Sequence, residues 1–314
     1  MVGRLDRPSR PVCSHFRGAG IPSLRCGLER IAIIGLGLIG GSLALALKRS
    51  AAIEVEIVGF SRRSETVTRA KESGIIDRAA GDVTSAVDGA DLVIIATHVM
   101  TIRRVLERIS GHVSPECVVT DTGSTKAEIM QWAEECLPRN ISFIGGHPMA
   151  GKETSGINEI DPDLFRGCVY CLSPAPNATP GAVQTLEMLV KSIGARPFFI
   201  DAGEHDRLVA GVSHLPMLLS AAFVLSTTGS SSWPEMAKLA AGGYRDLSRL
   251  ASGNPEMNRD ICLSNREEII RWIDSYLDEL KKYRRLMEED GEGLRDALAR
   301  AQEARQRWLQ EENR

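Results

Sequence analysis

Two short segments rich in glycine carry the residues best suited to acid–base chemistry. Residues 120–126 read TDTGSTK and residues 145–153 read GGHPMAGKE, and each begins where an apolar, strand-like run ends. Ligands of an open parallel sheet bind beyond the carboxyl ends of its strands, so both segments should face one ligand. His147, between Gly146 and Pro148, is therefore a candidate general base, because a neutral imidazole accepts a proton near neutral pH. A structural histidine is the alternative.

A second set of polar residues lies in the later half of the chain. Residues 213–216 read SHLP, which places His214 in an otherwise apolar stretch. Residues 242–249 read GGYRDLSR, and Arg245 and Arg249 are four positions apart. On a helix these two arginines share a face and could bind an anionic substrate together. Two surface arginines would show the same spacing, so both interpretations stay open.

A glycine motif indicates a dinucleotide site. Gly35, Gly37 and Gly40 form a GxGxxG pattern that follows the apolar run RIAIIG and opens a helical pattern. In this context the first glycine permits the tight turn and the second lets the backbone approach a pyrophosphate. The third allows close helix–strand packing. We expect the helix start at Leu38 and Ile39 to bind the phosphates with backbone N–H groups. A glycine-rich turn without a ligand is the alternative.

The end of the second predicted strand indicates which cofactor is bound. Ser61, Arg62 and Arg63 follow Phe60, at the place where an acidic residue would bind the ribose 2′-hydroxyl of NAD. Without a carboxylate to repel a 2′-phosphate, and with two guanidinium groups to hold it, NADP is favoured over NAD. The alternative is that the two arginines only begin a solvated helix. Thr97, after the run ADLVIIAT, is a further predicted cofactor contact.

These motifs must be positioned by a parallel sheet. Continuously apolar runs (RIAIIG, VEIVGF, ADLVIIAT, CVVTDT, ISFIGGHP and CVYCLS) are separated by helical segments. That alternation predicts strands covered by helices on both faces. Cys168 and Cys171 form a CxxC in one of these runs. Residues three apart on a strand face opposite sides, so we expect no metal site there.

The later half is predicted to be helical. Leu208 to Val224 is apolar but contains Ser213, Pro216 and Ser220, which makes it a poor bilayer span and a better buried helix. Apolar residues then recur at helical spacing from Ile269 onward, which indicates an amphipathic helix. The fold class is therefore a Rossmann-type α/β nucleotide-binding domain followed by an all-α domain.

Four regions follow from these patterns. Residues 1–28 form an arginine-rich arm that is disordered or resembles a targeting segment, and residues 29–200 form the dinucleotide-binding domain. Residues 201–290 form a helical domain for substrate and dimerisation, and residues 291–314 form a charged helix or tail.

Composition and charge exclude several classes of protein. The chain has 314 residues, 43% of them hydrophobic, which is enough apolar material for a sizeable core and argues against a disordered chain. Its net charge of −3 indicates no nucleic-acid partner, and we expect no membrane association. Seven irregularly spaced cysteines fit a reducing compartment. Location is expected to be cytoplasmic, or plastid if residues 1–28 are a transit peptide.

The segments GLGLIGGS, DTGSTK, GGHPMAGKE, SHLP and GGYRDLSRLASGNPEMNRDI resemble the prephenate/arogenate dehydrogenase family of tyrosine biosynthesis. The resemblance runs from about Arg30 to Asp290. It implies a Rossmann-type domain, an all-helical domain through which two subunits dimerise, and an active site between domains. It also implies oxidative decarboxylation of prephenate to hydroxyphenylpyruvate or of arogenate to tyrosine.

The resemblance assigns roles to particular residues. His147 would accept the proton of the ring hydroxyl while the ring carbon gives up its hydride, and Ser124 would hydrogen-bond both that hydroxyl and His147. Arg249 matches the arginine that binds the ring carboxylate. His214 would line the substrate pocket, and Glu153 stands where the family has an acid that gates the pocket.

Further residues refine this picture. Tyr244, in the same segment as Arg249, is included among the predicted substrate-binding residues. His98 stands where the family usually has proline, and Asn258 stands where many members have tryptophan, which leaves the pocket wall in question. Thr125 replaces a common valine. The preference between prephenate and arogenate stays open.

Two other functions remain as alternatives. Another two-domain NADP-dependent dehydrogenase, of the 3-hydroxyacid or imine-reducing type, would share the glycine turn and the helical dimerising domain. A sensor that binds NADP without turnover is an alternative of a different class.

Overall fold

The computed structural model describes residues 28–51, 54–154, 156–289 and 291–312. The predicted arm 1–28 lies outside these residues except for Leu28. The chain begins with an eight-stranded sheet in the order β3-β2-β1-β4-β5-β6-β7-β8. The strands are β1 Arg30–Ile34, β2 Glu56–Phe60, β3 Arg78–Ala79, β4 Leu92–Ile95, β5 Val118–Asp121, β6 Ser142–Pro148, β7 Val169–Pro174 and β8 Arg196–Phe199.

Helices cover both faces of this sheet, as the apolar runs predict. They are α1 Leu38–Arg49, α2 Ser64–Glu72, α3 Val83–Val87, α4 Val99–Ile109, α5 Ala127–Cys136 and α6 Pro180–Ser192. Ile31 and Ile33 of β1 pack into one core with α1 and α6, and Ala32 and Ile34 pack into the opposite core with α3, α4 and α5. Each isoleucine is buried, which stabilises the fold by about 1.5–3 kcal/mol per side chain.

The predicted parallel sheet is confirmed from β1 to β6, whereas β7 and β8 run in the opposite direction to these six strands. β7 pairs antiparallel with β6, whereas the other pairs are parallel. The connection between β6 and β7 contains only a 3₁₀ turn at Ile157–Glu159 among its described residues. A parallel neighbour needs a crossover, usually a helix, whereas this connection brings the chain back beside β6 in the opposite direction. β6 therefore ends in an open loop at the cleft described below.

The later half is helical, as predicted. Its helices are α7 Ala202–Val209, α8 Leu215–Thr228, α9 Trp233–Leu239, α10 Gly242–Ser248, α11 Pro255–Ser264, α12 Arg266–Glu289 and α13 Gly291–Glu312. A π-helical turn at Ala210–His214 joins α7 to α8, and a 3₁₀ turn at Arg249–Ser252 follows α10. The charged segment 291–314 is thus a helix over nearly all of its described length.

The prediction that Leu208 to Val224 is a buried helix is wrong for a single chain. The helical run Ala202–Thr228 is long and apolar enough to cross a membrane. An 18-residue apolar stretch within it has a mean hydropathy of 1.9, and only 28% of that stretch is buried. Val212 and Leu225 are 74% and 72% exposed. Helix α10, the following 3₁₀ turn and α12 each pack against part of α8, and Leu218 joins the core of the helical domain, whereas Leu225 stays exposed.

Candidate active site

One large cleft runs along the carboxyl edge of the sheet to the helical domain. It encloses about 1160 Å³, and it is lined by the residues that follow β1, β2, β4, β5 and β6 and by the start of α11. The sequence analysis predicted that strand ends would converge in this way. Gly35, Ser61, Thr97, Ser124 and His147 all line this cleft, although they come from five different strand ends.

The glycine turn has the shape that a dinucleotide requires. Gly35 has φ +107°, a left-handed conformation that favours glycine, and a Cβ there would collide with the Ala96 carbonyl. A Cβ on Gly40 would collide with the Gly35 carbonyl, so the helix can approach the strand only without that atom. Gly37 borders open space and caps α1 without a side-chain hydrogen bond. The first N–H groups of α1, beginning at Leu38, are therefore available to a pyrophosphate.

A basic cluster lines the same cleft beyond β2. Arg62 and Arg63 lie there as predicted, and the structure adds Arg104 and Arg108 of α4. Within the described part of the chain, none of these four arginines has an acidic partner. Arg104 and Arg108 are four positions apart on the exposed side of α4, a spacing that sequence reasoning could have used.

His147 lies at the end of β6 and is buried, with 8% of its surface exposed. Its Nδ1 is 2.9 Å from Nε2 of His205, and the two rings meet edge to face. Nδ1 of His205 is in turn 2.8 Å from Oδ1 of Asp206. The expected hydrogen bond from Ser124 to His147 is absent from the described structure. Sequence reasoning missed His205 and Asp206, whose only signal is an adjacent His-Asp pair at the start of the helical half.

Asp206 ties the helical domain to the sheet. Its carboxylate accepts hydrogen bonds from the backbone N–H of Lys126 at 2.7 Å and of Ala127 at 2.9 Å, at the beginning of α5. An acidic side chain at this position satisfies free helix donors and complements the helix dipole. The contact joins α7 to α5 across almost 80 residues of sequence. The segment that carries Ser124 is thereby held against the histidine pair.

A buried ion pair fixes the two polar segments relative to each other. Lys126 and Asp121 are both fully buried and their side chains are bonded. The Asp121 carboxylate also accepts the backbone N–H of Gly123 at 2.7 Å and of Gly146 at 3.1 Å. One carboxylate therefore holds both the segment of Ser124 and the strand end of His147.

Burial keeps His147 and His214 neutral. Burial lowers the pKa of His147 well below its usual value, and the nearby His205, Lys126 and His214 lower it further. Burial also lowers the pKa of His214 to about 4, against an opposing effect of Asp206. Near neutral pH, His147 is therefore an unprotonated imidazole that can accept a proton.

His214 ends in an unpaired nitrogen. Its Nδ1 is 3.2 Å from the side-chain nitrogen of Asn265, whereas its Nε2 is buried without a hydrogen-bond partner in the described structure. An unsatisfied buried polar atom is costly. A ligand in the adjacent site would remove that cost.

Comparison with known proteins is consistent with this geometry. Residues 43–198 match the nucleotide-binding domain of prephenate dehydrogenase, and residues 201–300 match its dimerization domain. The chain is 37% identical over 269 residues to the prephenate dehydrogenase of Bacillus subtilis, covering 85% of this chain and 72% of that protein. The chain belongs to the prephenate dehydrogenase family. The predicted order, a Rossmann-type domain followed by a helical domain, is confirmed.

Other members of the prephenate dehydrogenase family are similar along most of the chain. The cyclohexadienyl dehydrogenase of Zymomonas mobilis is 29% identical and is covered over 95% of its length, with 88% of this chain. The structure of the A. aeolicus prephenate dehydrogenase with hydroxyphenyl propionate and NAD⁺ is 28% identical, with a TM-score of 0.81 over 89% of this chain and 98% of that one. The Synechocystis arogenate dehydrogenase structure is 30% identical, with a TM-score of 0.75 over 89% and 99%.

The residues that the family resemblance assigned to the substrate fall into two groups. Arg249 and Glu153 are bonded to each other, and Glu153 lines the cleft. This ion pair links the helical domain to the loop after β6. Tyr244 instead hydrogen-bonds Thr227 at 3.0 Å and packs against Phe223, outside the lining of the cleft. Tyr244 therefore does not line the cleft, and Arg249 and His214 are also not among the residues that line it.

The three departures from the family pattern also have definite positions. His98 precedes α4 and lines the cleft. Thr125 is buried and bonds Ser264 of α11 at 2.9 Å, a contact that valine could not make. Asn258 lies one residue after Met257, which lines the cleft together with Asn254. The start of α11, the segment of Asn258, thus forms part of the wall of the cleft.

Proposed function

We propose that this chain catalyses the oxidative decarboxylation of a cyclohexadienyl substrate, prephenate or L-arogenate, with NADP favoured over NAD as the hydride acceptor. One observation carries the proposal. His147 is a buried, neutral imidazole in the same cleft as the glycine turn, with Nδ1 bonded to His205, so that Nε2 is the nitrogen left for a substrate.

In this proposal His147 acts as the general base. Nε2 accepts the proton of the ring hydroxyl, and the O–H electron pair forms a carbonyl as the hydride leaves the same ring carbon. The nicotinamide, when bound, supplies the acceptor for that hydride. The bond to the ring carboxylate then breaks, carbon dioxide departs, and the bonding electrons complete the aromatic ring as the carbonyl oxygen becomes a phenolate. The phenolate takes up the proton held by His147 to give the phenol. The protein therefore needs to position and deprotonate the substrate, since aromatisation supplies the driving force.

Four side chains are proposed to hold the substrate. Arg249 binds the ring carboxylate, which would take the place of Glu153 as its partner, so that Glu153 gates the pocket. The Ser124 hydroxyl lines the cleft and is proposed to bond the ring hydroxyl. His214 offers its unpaired Nε2. Tyr244 is not needed in this arrangement.

The preference for NADP is proposed from the basic cluster. Ser61 and the arginines after β2 and on α4 face the cleft, and the 2′-phosphate of NADP would give Arg62 and Arg63 an anionic partner that NAD lacks. Glu65, in the first turn of α2, is the acidic residue among the neighbouring lining residues and lies four positions after Ser61.

We also propose that the enzyme is a homodimer assembled through the helical domain. The apolar surface of α8 and α12 is exposed in the single chain, and a second copy would cover it. The name of the matching dimerization domain supports this assembly. A dimer accounts for the hydropathy of Ala202–Thr228 without a membrane.

A comparison of four rates tests the proposed function. Prephenate or L-arogenate is combined with NAD or NADP, and the appearance of reduced nicotinamide is followed. Turnover in any combination supports the proposal, and the fastest one identifies the substrate and the cofactor. If all four are silent while NADP still binds, the proposal is wrong, and other dehydrogenases and the non-catalytic sensor are to be tested next.

A further inference from the structure

We infer that His205 and Asp206 are positioning residues that fix the tautomer of His147, so that its Nε2 carries a lone pair on the cleft. The inference deepens the proposed function and rests on it for the identity of the base. It depends on the two hydrogen bonds that run from Asp206 through His205 to His147.

The direction of each hydrogen bond follows from the chemistry of the groups. The Asp206 carboxylate also accepts two backbone N–H groups, so it acts as an acceptor throughout. His205 must then donate from Nδ1. We infer that one proton lies between the two rings, so that Nε2 of His205 accepts and Nδ1 of His147 donates. Nε2 of His147 is left without a proton, as a general base requires.

Because His205 and Asp206 are buried, water cannot replace either partner in these hydrogen bonds. His205 and Asp206 are 1% and 2% exposed, so neither has bulk water as a substitute partner. Reversing the proton on His147 would leave two acceptor nitrogens facing each other at 2.9 Å and would cost the hydrogen bond. The reversed tautomer is thus disfavoured in the folded protein.

His205 and Asp206 also stabilise the protonated form of His147. When His147 takes the proton, it becomes an imidazolium whose Nδ1–H points at His205, and the Asp206 carboxylate lies one ring beyond. A carboxylate behind a histidine stabilises the imidazolium and holds the ring in place in serine hydrolases, and a second imidazole extends that logic here.

The other charged groups around His147 do not perform this role. Lys126 and His214 disfavour the protonated imidazole. Asp121 is bonded to Lys126, and Tyr170 of β7, which packs against the strand end, has its pKa raised by burial and stays neutral. Among the described neighbours, Asp206 is therefore the carboxylate linked to His147 by hydrogen bonds through another side chain.

The tautomer can be observed without any substrate. Nitrogen-15 NMR of the histidine rings in the full-length protein, at a pH above the histidine pKa values, distinguishes a protonated Nδ1 from a protonated Nε2. We expect His147 to carry its proton on Nδ1 in the wild type. In His205→Gln the amide oxygen can accept the same hydrogen bond and should keep this tautomer. In His205→Leu no acceptor remains, and the proton should move to Nε2.

The rates give a second readout. For His205→Leu we expect kcat to fall by on the order of 10²–10⁴-fold with the Kd for NADP unchanged, whereas His205→Gln should stay within about tenfold of the wild type. His112→Leu, on the exposed turn after α4, is the matched control and should behave as the wild type.

Three results would overturn the inference. The first is an Nε2 proton on wild-type His147, and the second is an unchanged tautomer in His205→Leu. The third is an equal loss of kcat in both variants that follows their loss of thermal stability. If His205→Leu does not fold, the wild type and His205→Gln still decide the tautomer. A wild type with the expected tautomer but no turnover refutes the proposed function and leaves the positioning pair in place.

Discussion

At the scale of single residues, the site depends on the burial of His147 with one nitrogen left for a ligand. Burial lowers its pKa and keeps it unprotonated, so the general-base role does not require an alkaline solution. Its other nitrogen is committed to His205. A substitution of His147 should therefore remove both the proton acceptor and the hydrogen bond to His205.

His147→Asn is expected to abolish hydride transfer and to leave the affinity for NADP nearly unchanged. Asparagine keeps a polar group of similar reach but cannot accept the proton, and a lost general base costs about 10²–10⁴-fold in rate. Single-turnover formation of reduced nicotinamide and calorimetric titration of NADP measure the two effects, with His112→Asn as the control. Loss of NADP binding would show instead that His147 is structural.

Arg249→Ala is expected to raise the KM for the ring substrate by about 10–100-fold, because a hydrogen bond to a charged group contributes roughly 1.5–3 kcal/mol. The exposed Arg300→Ala on α13 removes the same charge far from the proposed carboxylate contact and serves as the control. Initial rates over a range of substrate concentrations give both constants. An unchanged KM would mean that Arg249 serves only its ion pair with Glu153.

Stability should depend on pH through His214. Its pKa is lowered to about 4 in the folded protein, whereas an unfolded histidine titrates near 6.5. Between these values the unfolded chain binds more protons, so stability is complete above about pH 6.5 and decreases as the pH falls towards 4. Denaturant unfolding at about pH 7 and about pH 5 should show a smaller decrease in His214→Asn than in the wild type. Equal decreases would contradict the burial of a neutral His214.

Sequence reasoning at this scale succeeded where a residue sits in a motif. His147 was predicted from a segment that ends a strand, Ser124 and Glu153 were added by the family resemblance, and all three line one cleft. Sequence reasoning did not find His205 or Asp206, because the hydrogen-bond partner of His147 is determined by a tertiary contact between β6 and α7. The resemblance instead assigned Ser124 a hydrogen bond with His147, which the described structure does not show.

At the scale of elements, the ends of the strands and the starts of the helices make the nucleotide site. The N–H groups at the start of α1 are proposed to bind the pyrophosphate, and arginines that follow β2 or lie on α4 line the same cleft. The proposed discrimination between NADP and NAD would therefore depend on two neighbouring elements.

Arg62→Ala combined with Arg63→Ala should weaken NADP binding much more than NAD binding. Two charge-assisted contacts to the 2′-phosphate are lost, at about 1.5–3 kcal/mol each, and NAD has no such phosphate. The Kd values for both cofactors are measured by titration. The exposed pair Arg305 and Arg307 on α13, both changed to alanine, controls for net charge. Equal weakening of NADP and NAD would show that the arginines do not bind the 2′-phosphate.

The strands and helices could be predicted because the spacing of apolar residues along the chain indicates which side chains are buried. β1, β2, β4 and β5 are buried on both faces and read as continuous apolar runs. The direction of β7 could not be predicted, since it is set by the connection that precedes it and not by its own pattern.

At the scale of the whole molecule, the helical domain of one chain is incomplete. Leu225 at the end of α8 and Leu239 at the end of α9 are 72% and 83% exposed. Large exposed apolar surfaces mark protein interfaces. The apolar pattern of Leu208 to Val224 predicted a buried helix. Such a pattern indicates that an apolar surface is covered, but it does not show whether the same chain or a second copy covers it.

Leu225→Glu combined with Leu239→Glu is expected to shift the enzyme from dimer to monomer, because each substitution would bury an unpaired charge in the interface. Sedimentation equilibrium over a range of protein concentrations measures the shift. Glu134→Lys on the exposed face of α5 changes charge on the nucleotide-binding domain and serves as the control. A dimer of unchanged stability would place the interface elsewhere.

The central claim is that hydride transfer and decarboxylation occur on one substrate in this cleft. It is tested most directly by measuring the carbon dioxide released and the nicotinamide reduced in the same reaction with prephenate or L-arogenate. The account predicts one carbon dioxide for each reduced nicotinamide, with both lost together in His147→Asn. Reduced nicotinamide without carbon dioxide would contradict it and would indicate a simple alcohol dehydrogenase on the same fold.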